Sequence, residues 1–422
     1  MNITLSRRQL LAAALLLPAS TASARKRGPR IIVVGAGFGG ASCARQLRLY
    51  LPNADILLID RQARFLTGPF SNGVIAGLDE VAMITRHTRD VATAHRVRVL
   101  IDEVVTIDPV KREVRTAQHG VHRADRIVVA PGVSMRWDRI EGLHPGNSDA
   151  MPHGWLGGTQ VTGLRDRFAA LADGARIVIA APPNPYRCPP GPYERASLMA
   201  AALQRRGHRN SRILIADAKD DFTKRALFQL EWDRRYPGVI EWIPRALNGE
   251  VVRVDTQRHH LWLRDATMPI QADLASVIPA QTAAQLAIDA DLTDETQWCP
   301  VHPQRFESTR HAGIHVIGDA AIAAPMPKSG FAANSQAKLC AAAIAADLLG
   351  KPMPKAMLLN TCYSLLDTDA AISVSGYYAV VADRLSVLSE GISALGGDAT
   401  QRRSEAEQAR AWYRTITRDS FG

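Results

Sequence analysis

The stretch Arg30-Ile31-Ile32-Val33-Val34-Gly35-Ala36-Gly37-Phe38-Gly39-Gly40-Ala41 decides the fold. Four apolar, mostly branched residues read as a buried strand, the glycines as a turn, and a helix opens near Ala41. Ile56-Leu57-Leu58-Ile59-Asp60 follows as a second strand ending on an acid, which completes a βαβ unit. Gly35 permits the tight turn, Gly37 lets backbone approach a pyrophosphate, and Gly40 lets the helix pack closely on the strand. Phe38 lies inside the same fingerprint, and the helix N-terminus faces the phosphates with partial positive charge. Asp60, twenty residues after Gly40, is placed to accept hydrogen bonds from an adenosine ribose.

Outward from this unit, the residues from about Val97 to Arg126 read as short strands and turns leading into Ala130-Pro131-Gly132. A second α/β unit begins with the strand Arg176-Ile177-Val178-Ile179-Ala180 and continues through a helix from Glu194 to Arg206. The strand Ile213 to Ala216 then ends on Asp217. The chain is expected back in the first unit near Leu274 to Pro279, then at the strand Ile314-His315-Val316-Ile317 followed by Gly318-Asp319. An alanine-rich helix is expected from about Ala332 to Leu349, and Pro352 and Pro354 mark a boundary. The tail alternates like strands, with Trp412 in a closing helix.

This motif set resembles the two-dinucleotide-domain flavoproteins, whose N-terminal fingerprint binds FAD. Ala130-Pro131-Gly132 resembles their strand-end Ala-Thr-Gly, and Gly318-Asp319 resembles the late Gly-Asp whose aspartate holds the ribityl chain. The helix after Gly330 would aim its N-terminus at the flavin pyrimidine ring. In the second unit no glycine fingerprint follows the strand. The chain instead runs Ala181-Pro182-Pro183-Asn184-Pro185-Tyr186-Arg187-Cys188, and proline rings remove the donors and the close approach a pyrophosphate needs. An NAD site there is therefore expected to be degenerate.

Five cysteines occur: Cys43, Cys188, Cys299, Cys340 and Cys362. The odd count permits two disulfides at most, or one functional bridge and three buried thiols. Cys43 and Cys340 fall in helices and read as packing thiols; Cys188 sits in the proline-rich turn. Around these residues the chain resembles the flavoprotein subunit of flavocytochrome c sulfide dehydrogenase. The resemblance rests on Arg187-Cys188-Pro189-Pro190-Gly191-Pro192-Tyr193-Glu194, Trp298-Cys299-Pro300 and Pro325-Met326-Pro327-Lys328-Ser329-Gly330. Asn360-Thr361-Cys362-Tyr363-Ser364 and Trp412-Tyr413 through Asp419-Ser420-Phe421-Gly422 complete it.

That resemblance implies a redox disulfide between Cys188 and Cys362 beside FAD, with Glu194 as proton acceptor and Asn72, Lys328 and Trp412 around the cofactor. Hydrosulfide attack would give a persulfide and free the other cysteine as thiolate, from which two electrons pass to flavin. Family members with covalent FAD carry a cysteine shortly before a Ser-Asn pair. Here Gly68 stands at that place, before Ser71-Asn72, so noncovalent FAD is expected. No Cys-x-x-Cys-His motif is present, so the resemblance implies a separate c-type cytochrome subunit as acceptor and heterodimer partner. No metal site is expected.

A chain of 422 residues, 46% hydrophobic and 22% charged, suits a globular protein of two or three domains. The formal charge is +10, or +8 without Arg7 and Arg8, compatible with an acidic partner or anionic substrate. No recognisable nucleic-acid module is present, so nucleic-acid binding is not expected. Ser6-Arg7-Arg8-Gln9-Leu10-Leu11, the apolar run to Leu17 and Ala22-Ser23-Ala24 read as a twin-arginine signal peptide, which places the mature protein in the periplasm. No run reaches the ~18 apolar residues a membrane span needs.

The fold class expected is α/β: two Rossmann-like dinucleotide-binding domains plus a C-terminal α+β domain. Residues 1–24 form the leader, 29–150 the first part of the FAD-binding domain, and 151–272 the second Rossmann-like domain. Residues 273–350 return to the FAD-binding domain, and 355–422 form the C-terminal flavin-binding and interface domain. Sulfide:quinone reduction shares this scaffold but calls for an amphipathic helical tail. A flavin-binding partner without turnover would not need Cys188 and Cys362.

Overall fold

The computed structural model describes residues 28–422, so the leader lies outside the described residues. The first unit runs β1 (Arg30–Val34), α1 (Phe38–Tyr50), β2 (Asp55–Asp60), β3 (Arg98–Ile101) and β4 (Arg126–Val129). The second runs β5 (Arg176–Ala181), α2 (Gly191–Arg205), β6 (Arg212–Asp217), α3 (Arg225–Arg235), β7 (Ile240–Ile243) and β8 (Leu274–Val277). The chain closes with β9 (Ile314–Val316), α4 (Gly330–Leu349), β10 (Met357–Asp367), β11 (Ala370–Val381), β12 (Arg384–Ile392) and α5 (Ala399–Phe421).

Two parallel sheets result, in the orders β9-β4-β1-β2-β3 and β7-β6-β5-β8. Strands β1, β2, β4, β5, β6 and β8 are largely buried on two faces, so they are mostly runs of Ile, Leu, Val and Ala rather than alternating. The antiparallel sheet β10-β11-β12 packs with α5 across both units. The molecule is thus the α/β fold with a C-terminal α+β part that the sequence leads one to expect.

Three boundaries differ. β8 pairs with β5 in register Ile177↔Leu274, so Leu274 to Val277 still belong to the second sheet. The return comes afterwards, at Gln281–Ala283, which pairs with Val133–Met135. α2 starts at Gly191, not Glu194, because Pro192 fits a first helical turn, where its missing N–H costs nothing. α4 starts at Gly330, not Ala332: Ser329 caps it by accepting from the Ala332 amide at 3.0 Å.

α1 and α4 lie side by side, and their small residues permit close approach. Cys43 and Cys340 meet in that seam, both fully buried, as packing thiols do. α5 returns to the first unit: Ser420 and Ser42 hydroxyls bond at 2.9 Å, and Phe421 packs on Phe38 with centroids 5.1 Å apart.

Candidate active site

The glycine turn forms as its sequence requires. Gly35 has φ +93°, a conformation that disfavours side chains, and a Cβ there would lie 2.3 Å from the Ala130 carbonyl oxygen. A Cβ on Gly40 would sit 1.7 Å from the Gly35 oxygen, whereas one on Gly37 would meet nothing within 4 Å. The turn is closed behind and open in front, at the start of α1. Asp60 accepts from the Ala36 amide at 2.6 Å and the Gln62 amide at 2.7 Å, which ties β2 to the turn. Gly132, φ +72°, carries the chain away from β4 beside this turn.

A second set of residues comes from β9 and the loop before α4. The Gly318 amide donates to Gln336 at 2.8 Å, and Asp319 receives the Arg187 guanidinium at 3.1 Å on Oδ2. The other oxygen, Asp319 Oδ1, is buried without a partner among the described residues, and so is Trp412 Nε1. Lys328 spans the loop, donating to the carbonyls of Asp319 at 2.7 Å and Ala321 at 3.0 Å over the Trp298 ring. Burial pulls its ammonium down to about 8. Cys299 lies below, its thiol pushed up to about 12 by burial.

An open front at Gly37 beside a positive helix end and an unpaired acceptor at Asp319 are what a dinucleotide with hydroxylated linker would fill. The residues present therefore fit FAD: Gly35, Gly37, Phe38, Gly40 and Asp60 at one end, and Asp319 toward the other.

The third set surrounds sulfur. Cys188 sits just ahead of α2 at φ +58°, a conformation a non-glycine side chain holds only when clamped. Its amide donates to the Lys328 carbonyl at 2.8 Å, and its carbonyl accepts from the Gly191 amide at 2.9 Å. Its Sγ lies against the first residue of α2, since a Cβ on Gly191 would be 3.2 Å from it and 2.4 Å from the Trp155 ring. Cys362, on β10, is the neighbouring sulfur, and its charge adds to the cost of ionising Cys188. Both are thiols here. Burial raises both thiols; for Cys362 the nearest opposing charge is Lys224.

Glu194, one turn into α2, is held by two donors: Asn72 Nδ2 at 2.8 Å and the Leu365 amide at 2.8 Å. Burial nevertheless raises its carboxyl above the ordinary carboxylate range. Asn72 is itself oriented by Arg195, whose Nε donates to Asn72 Oδ1 at 3.1 Å. Arg195 is fully buried and also donates to Ser276, His153 O and Gly154 O. The sequence reading missed Arg195, Lys224, Trp155 and Gln281, whose Oε1 receives the Arg187 amide at 3.0 Å. The run Pro189 to Tyr193 pointed to this corner, but nothing in it marked those four.

In the second unit, Asp217 occupies the strand-end position that Asp60 holds in the first. It is fully buried and receives Tyr193 at 2.6 Å, Trp242 at 2.9 Å and Lys219 at 2.6 Å. Tyr193 and Phe222 stack beside it with centroids 3.6 Å apart.

Fold and site together define a two-dinucleotide-domain flavoprotein of the disulfide-oxidoreductase class. Residues 29–162 match the pyridine nucleotide-disulphide oxidoreductase family. Residues 161–279 match the central domain of the sulfide dehydrogenase [flavocytochrome c] flavoprotein chain, and 354–421 its flavin-binding domain. A sulfide dehydrogenase [flavocytochrome c] flavoprotein chain from Chlorobaculum thiosulfatiphilum is 49% identical over 45 residues, 11% of this chain and 94% of that sequence. The chain belongs to the flavocytochrome c sulfide dehydrogenase flavoprotein family.

The mitochondrial sulfide:quinone oxidoreductase of Mus musculus is 20% identical over 303 residues, 68% of this chain. The match spans 65% of that relative's own length. Among solved structures, the sulfide:quinone oxidoreductase of Aquifex aeolicus superposes with a TM-score of 0.71 at 17% identity, covering 93% of this chain and 92% of that one. That likeness is one of fold.

Proposed function

We propose that this chain is the FAD-dependent flavoprotein of an exported sulfide dehydrogenase, taking electrons from hydrosulfide at Cys188 and Cys362 and passing them through FAD to a c-type cytochrome. The observation that carries this reading is the convergence of Cys188 and Cys362, from different domains, on a partly buried corner holding Glu194 and Lys224. With the pair oxidised, hydrosulfide forms a bond to one cysteine sulfur. The Cys188–Cys362 bond breaks, and its pair of electrons stays on the other sulfur as thiolate. Glu194, held as an acceptor by Asn72 and Leu365, takes the proton of the incoming sulfur species. Bound FAD would supply the two-electron acceptor. Trp155 and Tyr186 pack beside Cys188 from the second domain.

The finer parts of the proposal have separate supports. Gly68 carries no side chain and has open space where a Cβ would stand, so FAD is held without a thioether. Asp217 is consumed by Tyr193, Trp242 and Lys219, which leaves no ribose acceptor for NAD. One face of the C-terminal sheet exposes Met357, Leu359 and Tyr377, apolar side chains suited to a docked cytochrome. The leader Arg7-Arg8 with Ala22-Ser23-Ala24 supports a periplasmic site. A quinone acceptor is the second reading, favoured by the superposition on a sulfide:quinone oxidoreductase. No helix among the described residues is long and apolar enough to cross a membrane.

The test is an anaerobic titration of the purified flavoprotein, following flavin absorbance as sulfide or NADH is added. Bleaching by sulfide and not NADH, lost in Cys188→Ser and Cys362→Ser, is expected. Bleaching by NADH, or by sulfide with Cys188→Ser unaffected, overturns the mechanism. Reoxidation by cytochrome c but not by a short-chain quinone separates the two acceptors.

A further inference from the structure

Lys224 is the cation that the mechanism above leaves without a task. It lies at φ +66° just ahead of α3, in the second Rossmann-like unit, and its side chain reaches the C-terminal sheet. The residue is buried, at 6% exposure. Its Nζ donates to Ser364 Oγ at 2.8 Å, with the Cys362 carbonyl at 3.3 Å and the Ile372 carbonyl at 3.5 Å. All three acceptors are neutral. Among the described residues no carboxylate stands within ion-pair distance of this ammonium. An ammonium removed from water and met only by neutral oxygens is costly unless an anion is supplied nearby.

The groups facing it come from four elements. Cys362 lies on β10, Cys188 ahead of α2, Glu194 on α2 and Glu405 on α5. Glu194 already has two donors of its own. Glu405 is bonded to Ser373 and Arg402. The other cations near the pair are committed elsewhere, Arg187 to Asp319 and Arg195 to Asn72, Ser276 and two backbone carbonyls. Of the anions the corner can form, a sulfur anion on Cys362 has neither the donors that hold Glu194 nor a cation besides Lys224 acting on it, and its own backbone carbonyl already touches Lys224.

We propose that Lys224 is the positioning cation of the sulfur centre, holding the sulfur on Cys362 as an anion, thiolate or persulfide, once the pair has opened. The proposal deepens the reading given above and rests on it for its place in turnover, yet the proton equilibrium it describes exists without sulfide. Ionisation of the Cys362 S–H sends its proton to solvent or to Glu194, and no electron moves. Clamping by Ser364 and two carbonyls fixes the ammonium in advance, so no reorganisation is needed when the charge forms. Burial and Glu194 oppose ionisation; Lys224 is the charge that favours it.

The experiment measures the pH dependence of Cys362 alkylation in the FAD-loaded protein, reduced anaerobically and quantified by mass spectrometry after a short iodoacetamide pulse. Lys224→Met is expected to move the half-reaction pH of Cys362 up by about one unit or more, a tenfold loss of thiolate at fixed pH. Lys224→Arg should hold it within about half a unit. Ser364→Ala, which loosens the clamp, should shift it upward by less. A Lys224→Met curve that overlays the wild type overturns the proposal. If Lys224→Met does not fold, an unmoved curve for Ser364→Ala overturns it instead. Because no sulfide is used, a protein whose flavin sulfide fails to bleach sinks the function while the alkylation shift is read independently.

Discussion

Replacing Glu194 by glutamine exchanges one oxygen for an NH2 group at a place where two donors already converge. Asn72 Nδ2 and the Leu365 amide each approach a carboxylate oxygen at 2.8 Å. Asn72 cannot turn its oxygen toward the newcomer. Its Oδ1 receives Arg195 Nε at 3.1 Å, and its Nδ2 also serves the Gly191 carbonyl at 3.0 Å. The Leu365 amide is fixed in β10. Whichever way the glutamine turns, one buried donor faces another. Leaving a buried donor unmet costs about 1–3 kcal/mol, so Glu194→Gln is expected to lose that much stability in thermal or urea unfolding. In an Asn72→Ala background the conflict on one side disappears, and the added cost of Glu194→Gln should fall toward zero, a coupling that a double-mutant cycle reads directly. In the kinetic arm, the rate of flavin bleaching by sulfide should fall as pH drops through the Glu194 pKa, which burial places above the ordinary carboxylate range. The variant should be slow throughout and lose that acid limb. A Glu194→Gln protein that unfolds with the wild type, and bleaches at its rate with the same acid limb, would refute both the packing and the proton-acceptor arguments.

The two fingerprint glycines should fail differently. Gly40→Ala forces a Cβ to 1.7 Å from the Gly35 oxygen and should yield little soluble protein, whereas Gly37→Ala has room and should fold. The added methyl then stands at the open front of the turn, so FAD affinity, measured by titrating the deflavinated protein, should drop at least about tenfold. Gly191→Ala drives a Cβ to 2.4 Å from the Trp155 ring and should displace Cys188, seen as lost sulfide bleaching with FAD retained. Burial lowers His153 to about 4, and its ring accepts the Trp155 amide at 2.8 Å. Its folded pKa lies below the unfolded value near 6.5, so the unfolded chain holds more protons between them. Stability is therefore full above that range and falls as pH drops from about 6.5 to 4, by roughly 3 kcal/mol for this one group. Unfolding midpoints that stay flat across that window would contradict it, as would His153→Gln leaving the slope unchanged.

Much of the first unit was legible because its constraints are local. Gly35, Gly37 and Gly40 each answer to an atom a few residues away or to empty space at a helix end, and such demands survive in a linear string. The Cys188–Cys362 pairing was reached through family likeness, since nothing in their separation of 174 residues selects it over other pairings. Lys224 and Arg195 were illegible for a different reason. In sequence a buried cation is spelled like a surface one, and what buries it is the docking of β10, 140 residues from Lys224, and of the loop at His153, 42 residues from Arg195. Leu274 to Val277 suit either parallel sheet equally well, because both bury most of their strands on two faces. Only the hydrogen-bond partner, β5, distinguishes them.

The bond between Ser42 and Ser420 joins residues 378 positions apart, and Phe421 closes over Phe38 beside the glycine turn. During synthesis, α1 must wait for α5, made much later, before this part of its surface is covered. The covering of α1 thus depends on a segment far downstream, and a polypeptide halted short of Asp419 would lack those contacts on α1. The glycine turn and the residues that close over Phe38 are therefore one structural unit written in two distant parts of the message, so a lesion in either should loosen the other.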